Sequence, residues 1–126
     1  MAKGLTLDSG ALIAAEKRDR RFMRVWKEAL ARAAVVTVPA VVLGQVWRGN
    51  SPVIARMLRG CSIEAFDEET GMRVGELLAA SRTSDVVDAA VVLGAAARGD
   101  RIVTSDPEDI DRLIAANGGN VSVLAV

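Results

Sequence analysis

The sequence contains no histidine, which removes Ser-His-Asp and Cys-His catalysis, histidine-ligated zinc and imidazole acid–base chemistry together. It has a single cysteine, Cys61, with no CxxC neighbour. An internal disulfide is therefore impossible, and a reducing compartment, the cytoplasm, is the expectation. Net charge is missing too: 16 basic residues balance 16 acidic ones. Whole-molecule charge thus gives no argument for nucleic acid or an anionic membrane, and any such binding must come from a local patch. No run approaches the roughly 18 apolar residues of a membrane span, and the short apolar start broken at Asp8 does not read as a signal peptide. Walker and dinucleotide-binding glycine patterns are absent. What remains for chemistry is carboxylates, hydroxyls, amides and guanidinium groups, and the oxygen donors among them suit hard cations such as Mg²⁺ or Mn²⁺.

A length of 126 residues with 51% apolar content suits one domain, 1–126, with a single well-filled core. Strands are expected at 4–7, 35–38, 61–66, 101–104 and 121–126, and helices between them. The first helix reads ALIAAEKR. The second, over 19–34, sets Phe22, Val25, Trp26, Ala29 and Ala33 on one apolar face and crowds its other faces with arginine. Pro39 is well placed to open a helix running to Arg48, with Gly49 as its stop, and Ser51-Pro52 opens another that ends at Gly60. Asp67 can cap the next helix, whereas 86–97 reads as a helix stopped by Arg98-Gly99. The alternation implies an α/β protein with a mostly parallel sheet covered on both faces. Core packing is expected for Phe22, Trp26 and Trp47.

The stretch TSDVVDAAVVLGAAARGDRIVTSDPED, residues 83–109, concentrates the candidate chemistry. Asp88 interrupts an almost wholly apolar run; aspartate has poor helix propensity, and Asp88 has no evident capping duty. A carboxylate there must reach water, a cation or a proton. Asp106 follows a β-branched strand, although it also precedes Pro107 and suits an N-cap. Asp85 is favoured at a helix start by the dipole alone. Asp8 lies just past the first strand and equally suits a cap. In a parallel sheet Asp8 and Asp106 share one edge, and Asp88 begins the helix that feeds the second of those strands. Clustered carboxylates raise one another's pKa, so a divalent metal is their natural partner. Lys17, Arg18, Arg20, Arg21, Arg24, Lys27 and Arg32 form the one basic region, either a solvated helix face or a phosphate-contacting patch.

Taken together, LDSGALIAAE, VPAVVLGQVWRG and SDVVDAAVVLGAAARGDRIVTSDPEDI resemble the PIN-domain nucleases, and within them the VapC-type toxins of bacterial toxin–antitoxin pairs. The resemblance spans essentially the whole chain. It implies an α/β/α sandwich with a mostly parallel central sheet, Mg²⁺- or Mn²⁺-dependent endoribonuclease activity, RNA as substrate, a cognate antitoxin as partner and a homodimer without membrane attachment. It places the family's acidic positions at Asp8, Asp88 and Asp106, with Ser105 and Asp85 in support; the basic region separately offers Arg21 and Arg24 as candidate phosphate contacts. Where the family commonly has Glu in the helix after the second strand, this chain has Gln45. Its amide lacks the carboxylate's charge, which implies weaker metal binding. A PIN-like module that holds RNA or a protein without cutting is therefore the alternative reading. A Mg²⁺-dependent phosphatase with Asp8 as nucleophile fits less well, because Gly10 stands where a second aspartate is usual in such folds.

Overall fold

The computed structural model describes residues 3–126. β1 (Leu5–Leu7), β2 (Val36–Pro39), β3 (Ser62–Glu64), β4 (Arg101–Thr104) and β5 (Val123–Ala125) form one sheet in the order β3-β2-β1-β4-β5, and every pairing is parallel. All residues of β1 and β2 are buried, so these strands are covered on both faces rather than alternating, as a sheet between two helical layers requires.

The helices are α1 (Ser9–Glu16), α2 (Arg20–Ala31), α3 (Ala40–Val46), α4 (Pro52–Leu58), α5 (Glu68–Ser81), α6 (Val86–Arg98) and α7 (Pro107–Ala116). α1 packs on β1 and β4 with α2, α3 and α4 beside it, whereas α6 lies across β1, β2 and β4 between α5 and α7. The composition of α6 explains its central place. Ala89, Ala90, Val91, Val92 and Ala95 are all no more than 3% exposed, and a helix that is apolar nearly all round is stable only when covered nearly all round.

The C-terminal end of α6 is pinned to the sheet by a polar network. Arg98 Nε donates to Asp100 Oδ2 at 2.9 Å, Arg98 Nη2 donates to Thr6 Oγ1 at 2.9 Å, and Thr6 Oγ1 donates to Asp100 Oδ2 at 2.8 Å. Arg98 also bonds Glu64 on β3. Gly94 leaves room for this, since a Cβ there would collide with Glu64 Oε1 and crowd the Arg98 guanidinium. Gly99, at φ 73°, closes the helix in the left-handed conformation expected of it.

Several boundaries differ from the sequence reading. Pro39 ends β2 and precedes α3 rather than opening the helix; its ψ of 135° is extended and it pairs in register with Glu64. α3 stops at Val46, short of Arg48. β3 and β5 keep only three residues each, although Ser122 and Val126 on either side of β5 still bond to β4, Ile102 N–H donating to Ser122 O and Val126 N–H to Thr104 O at 2.9 Å each. Phe22 is buried and stacks with Trp26 at a centroid distance of 6.2 Å, but Trp47 is 44% exposed, contrary to the expectation of core packing. Its helix ends one residue earlier, leaving the indole beside Leu43, Gly44 and Leu58 in an open depression. Among the described residues no helix is long and apolar enough to cross a membrane.

Candidate active site

The strand order creates a switch between β1 and β4. The chain moves outward from β1 through β2 to β3, then returns to the other side of β1 for β4 and β5. Connections leaving neighbouring strands in opposite directions open a crevice beyond their carboxyl ends. Asp8 follows β1 directly, and Asp106 lies two residues past β4, so both stand at this edge.

Asp8 is only 4% exposed, and its Oδ1 accepts the N–H of Ala11 at 2.9 Å, capping α1. Burial raises its pKa above the ordinary carboxylate range; the Thr104 hydroxyl and the N–H groups of Ala11 and Gly10 partly offset this, and the charge of Asp106 adds to the rise. Thr104 is itself fully buried and accepts the Asp106 N–H at 2.9 Å. One hydroxyl thus stands between the two strand-end acids. Ser105 supports the same corner, because a Cβ on Gly10 would collide with its Oγ. Glycine at position ten is what allows the β4 end to press on the start of α1.

Asp106 occupies the N-cap position of α7, yet its side chain makes no capping hydrogen bond. The cap that the sequence offers is not what this carboxylate does, and it stays exposed. Asp85 does cap: its Oδ1 accepts the backbone N–H of Asp88 at 2.9 Å. Asp88 therefore lies in the first turn of α6, where the helix dipole favours a negative charge, rather than deep in the helix. It is half-buried, and its pKa is raised to about 7, first by burial and then by the charges of Asp85, Asp8, Asp109 and Asp106.

Asp109 is a site residue that the sequence reading misses. It is exposed on α7, and its pKa is raised chiefly by its contact with Asp106. The signal for it is the spacing, since residues three apart share a helix face. A cleft of about 250 Å³ gathers Arg82, Thr83, Ser84, Asp85, Asp88, Asp109 and Arg112. Asp88 is the common member: the charges of Asp85, Asp8, Asp109 and Asp106 all act on it, and that of Asp106 also acts on Asp8 and Asp109. Of the remaining candidates, Gln45 stands exposed on α3, which packs against α1 and α6. Neither Arg21 nor Arg24 on α2 lines the acidic cleft; Arg24 borders a separate depression with Arg18, Arg20, Met23 and Lys27.

The donors suit a divalent cation in kind. They are oxygens, and their like charges push pKa values upward, a penalty that a bound cation relieves. In arrangement they are spread around the crevice: among the described residues no three acidic or thiol side chains are already gathered closely enough to hold an ion.

A family model for the PIN domain matches residues 5–115. Among solved structures the chain is similar to VapBC2 from Rickettsia felis bound to a DNA fragment from its promoter, at 17% identity and a TM-score of 0.68, with 97% of this chain and 98% of that one covered. It is also similar to DNA-bound VapBC from Salmonella typhimurium, at 14% identity and a TM-score of 0.65, with 98% of each chain covered. At these identities the likeness is one of fold. No curated protein matches the sequence.

Proposed function

This chain belongs to the PIN-domain family of nucleases, and on that premise we propose that it is a metal-dependent endoribonuclease acting as the toxin of a toxin–antitoxin pair. The observation that carries the reading is that acids from separate elements, Asp8 after β1, Asp88 on α6 and Asp106 after β4, stand around the switch point of a parallel sheet, near enough for the charges of Asp8 and Asp106 to act on Asp88. The fold-level likeness to two VapBC complexes supports the toxin assignment.

In this reading Asp8, Asp88 and Asp106 hold Mg²⁺ or Mn²⁺. Bound there, the ion supplies a Lewis acid for the phosphate and lowers the pKa of a bound water. The chain's own residues do the positioning. Asp85 fixes the helix end that presents Asp88, Thr104 spaces Asp8 from Asp106, and Ser105 seats the β4 end against α1. Arg21 and Arg24 offer an outer surface for phosphates. The apolar patch of Leu43, Trp47 and Leu58 offers a surface for the antitoxin or for a second copy in a homodimer.

The test is cleavage of a mixed RNA pool by the purified protein with Mg²⁺ or Mn²⁺, with chelator, and with Asp88→Asn as control. Metal-dependent cutting lost in the variant is the expected result. A folded protein, free of antitoxin, that cuts under no metal favours the second reading, a PIN module that binds without cleaving. The feature behind that reading is Gln45, an amide where the family commonly has Glu.

A further inference from the structure

Two guanidinium groups stand in the acidic cleft, and they come from different elements: Arg82 at the end of α5 and Arg112 on α7. The cleft they share is lined by Asp85, Asp88 and Asp109. Among the described residues neither arginine makes a salt bridge within 4.0 Å or donates a side-chain hydrogen bond; the ion pairs and guanidinium bonds that form involve Arg32, Arg48, Arg73 and Arg98. An arginine whose task was to neutralise the acids beside it would pair with one of them. The charge of Arg112 reaches Asp109 and partly offsets the rise in its pKa, but no close pair forms, so both arginines keep their donors open although guanidinium and carboxylate favour each other in geometry as well as charge.

Arg82 also sits in the left-handed region, at φ 56°, which glycine adopts freely at a helix end and a side chain adopts at a cost. Ala33 has the same backbone, at φ 54°, so the conformation alone assigns nothing. What sets Arg82 apart is that this turn delivers its side chain to the wall of a cleft shared with α7.

We infer that Arg82 and Arg112 form a phosphate clamp for the RNA backbone, holding phosphates that flank the one placed against Asp8, Asp88 and Asp106. The inference rests on the nuclease reading above. An acidic crevice repels a polyanion, and a metal offsets that only at the reacting phosphate, so the neighbouring phosphates need fixed cations of their own. A chain of zero net charge has to supply these locally. Arg21 and Arg24 do not line this cleft, whereas Arg82 and Arg112 do. Guanidinium groups also match phosphate oxygens in pairs, which orients the strand as well as attracting it.

The experiment is an anisotropy titration of a labelled single-stranded RNA with Mg²⁺ across a salt series, in the Asp88→Asn protein to suppress cutting. Replacing Arg82 and Arg112 together by Gln should reduce the slope of log affinity against log salt by about 1.4, which is roughly 0.7 for each single-strand phosphate that goes unneutralised. Lysine at both positions should restore it. Arg82→Gly removes the charge while relaxing the backbone, so its thermal midpoint should hold or rise as its slope falls. An unchanged slope in the Arg82, Arg112 pair, from a parent that cuts RNA, overturns the clamp alone. A parent that neither cuts nor binds RNA overturns the nuclease reading with it.

Discussion

The Asp85 carboxylate accepts the backbone N–H of Asp88 at 2.9 Å, so one acid of the cluster is spent on holding the helix end from which the other projects. The same bond brings a like charge beside Asp88, and that charge is the largest contribution after burial to the raised pKa of Asp88. Capping and electrostatic pressure are thus two effects of one residue, and they separate by substitution.

Asp85→Ala should lower stability by about 1 kcal/mol through loss of the cap, whereas Asp85→Asn should cost only a few tenths, because the amide oxygen still accepts the N–H. Both should lower the pKa of Asp88 by removing its nearest like charge. Urea midpoints and a carboxyl-resolved NMR titration read the two effects. Equal stability losses in Ala and Asn would show that the bond carries no capping energy.

The pH dependence follows from the raised carboxyls. In the folded chain Asp88 titrates at about 7 against an ordinary 3.8, so the folded state holds this proton more tightly than the unfolded one. Its contribution to stability is complete below about pH 4 and is lost as pH rises through about 7. Asp8 is raised as well and acts in the same direction. Without divalent cation, Asp88→Asn should therefore melt above the parent at about pH 8, by a margin that shrinks toward about pH 5. Added Mg²⁺ should stabilise the parent more than the variant, since binding to the native state adds stability and needs the deprotonated acid. A pH-independent difference between the two proteins would count against a buried, pressured carboxyl at this position.

Gln45→Glu should tighten Mg²⁺ binding, by about tenfold if the new carboxylate joins the ion. Calorimetric titration decides it. Unchanged affinity would mean that α3, on which Gln45 is exposed, lies outside the metal's reach.

Gly10→Ala should destabilise the fold by about 1–3 kcal/mol, because the added methyl meets Ser105 Oγ and crowds Ser105 Cβ. Removing the serine side chain with Ser105→Gly should recover most of that loss. A double-mutant cycle measures the coupling between the two sites. Independent effects would place the strain elsewhere.

Much of the architecture is legible in the sequence because it is periodic. The β-branched run at 101–104 and the long apolar run at 86–97 specify a strand and a helix by local rules alone. The shared edge of Asp8 and Asp106 follows from their positions just past strands. The boundaries of the outer strands do not: Ser122 and Val126 still bond to β4, yet they lie outside the three residues of β5 that pair in register. Trp47 departs from its expected place for a related reason: nothing local reveals that α3 ends before it.

By itself, then, the sequence determined the class of fold, the supply of acids and the absence of histidine, which together restrict the chemistry to oxygen ligands. The tertiary structure decided which acids meet and what each one does. It set β1 beside β4 and so brought Asp8 toward Asp106, gave Asp85 rather than Asp106 a cap to make, and turned Arg82 and Arg112 into one cleft with Asp109. Capping and periodicity act over a few residues and leave a local record. Strand order and the pressure of one carboxylate on another act through space, between residues as far apart in the chain as Asp8 and Asp106, and leave none.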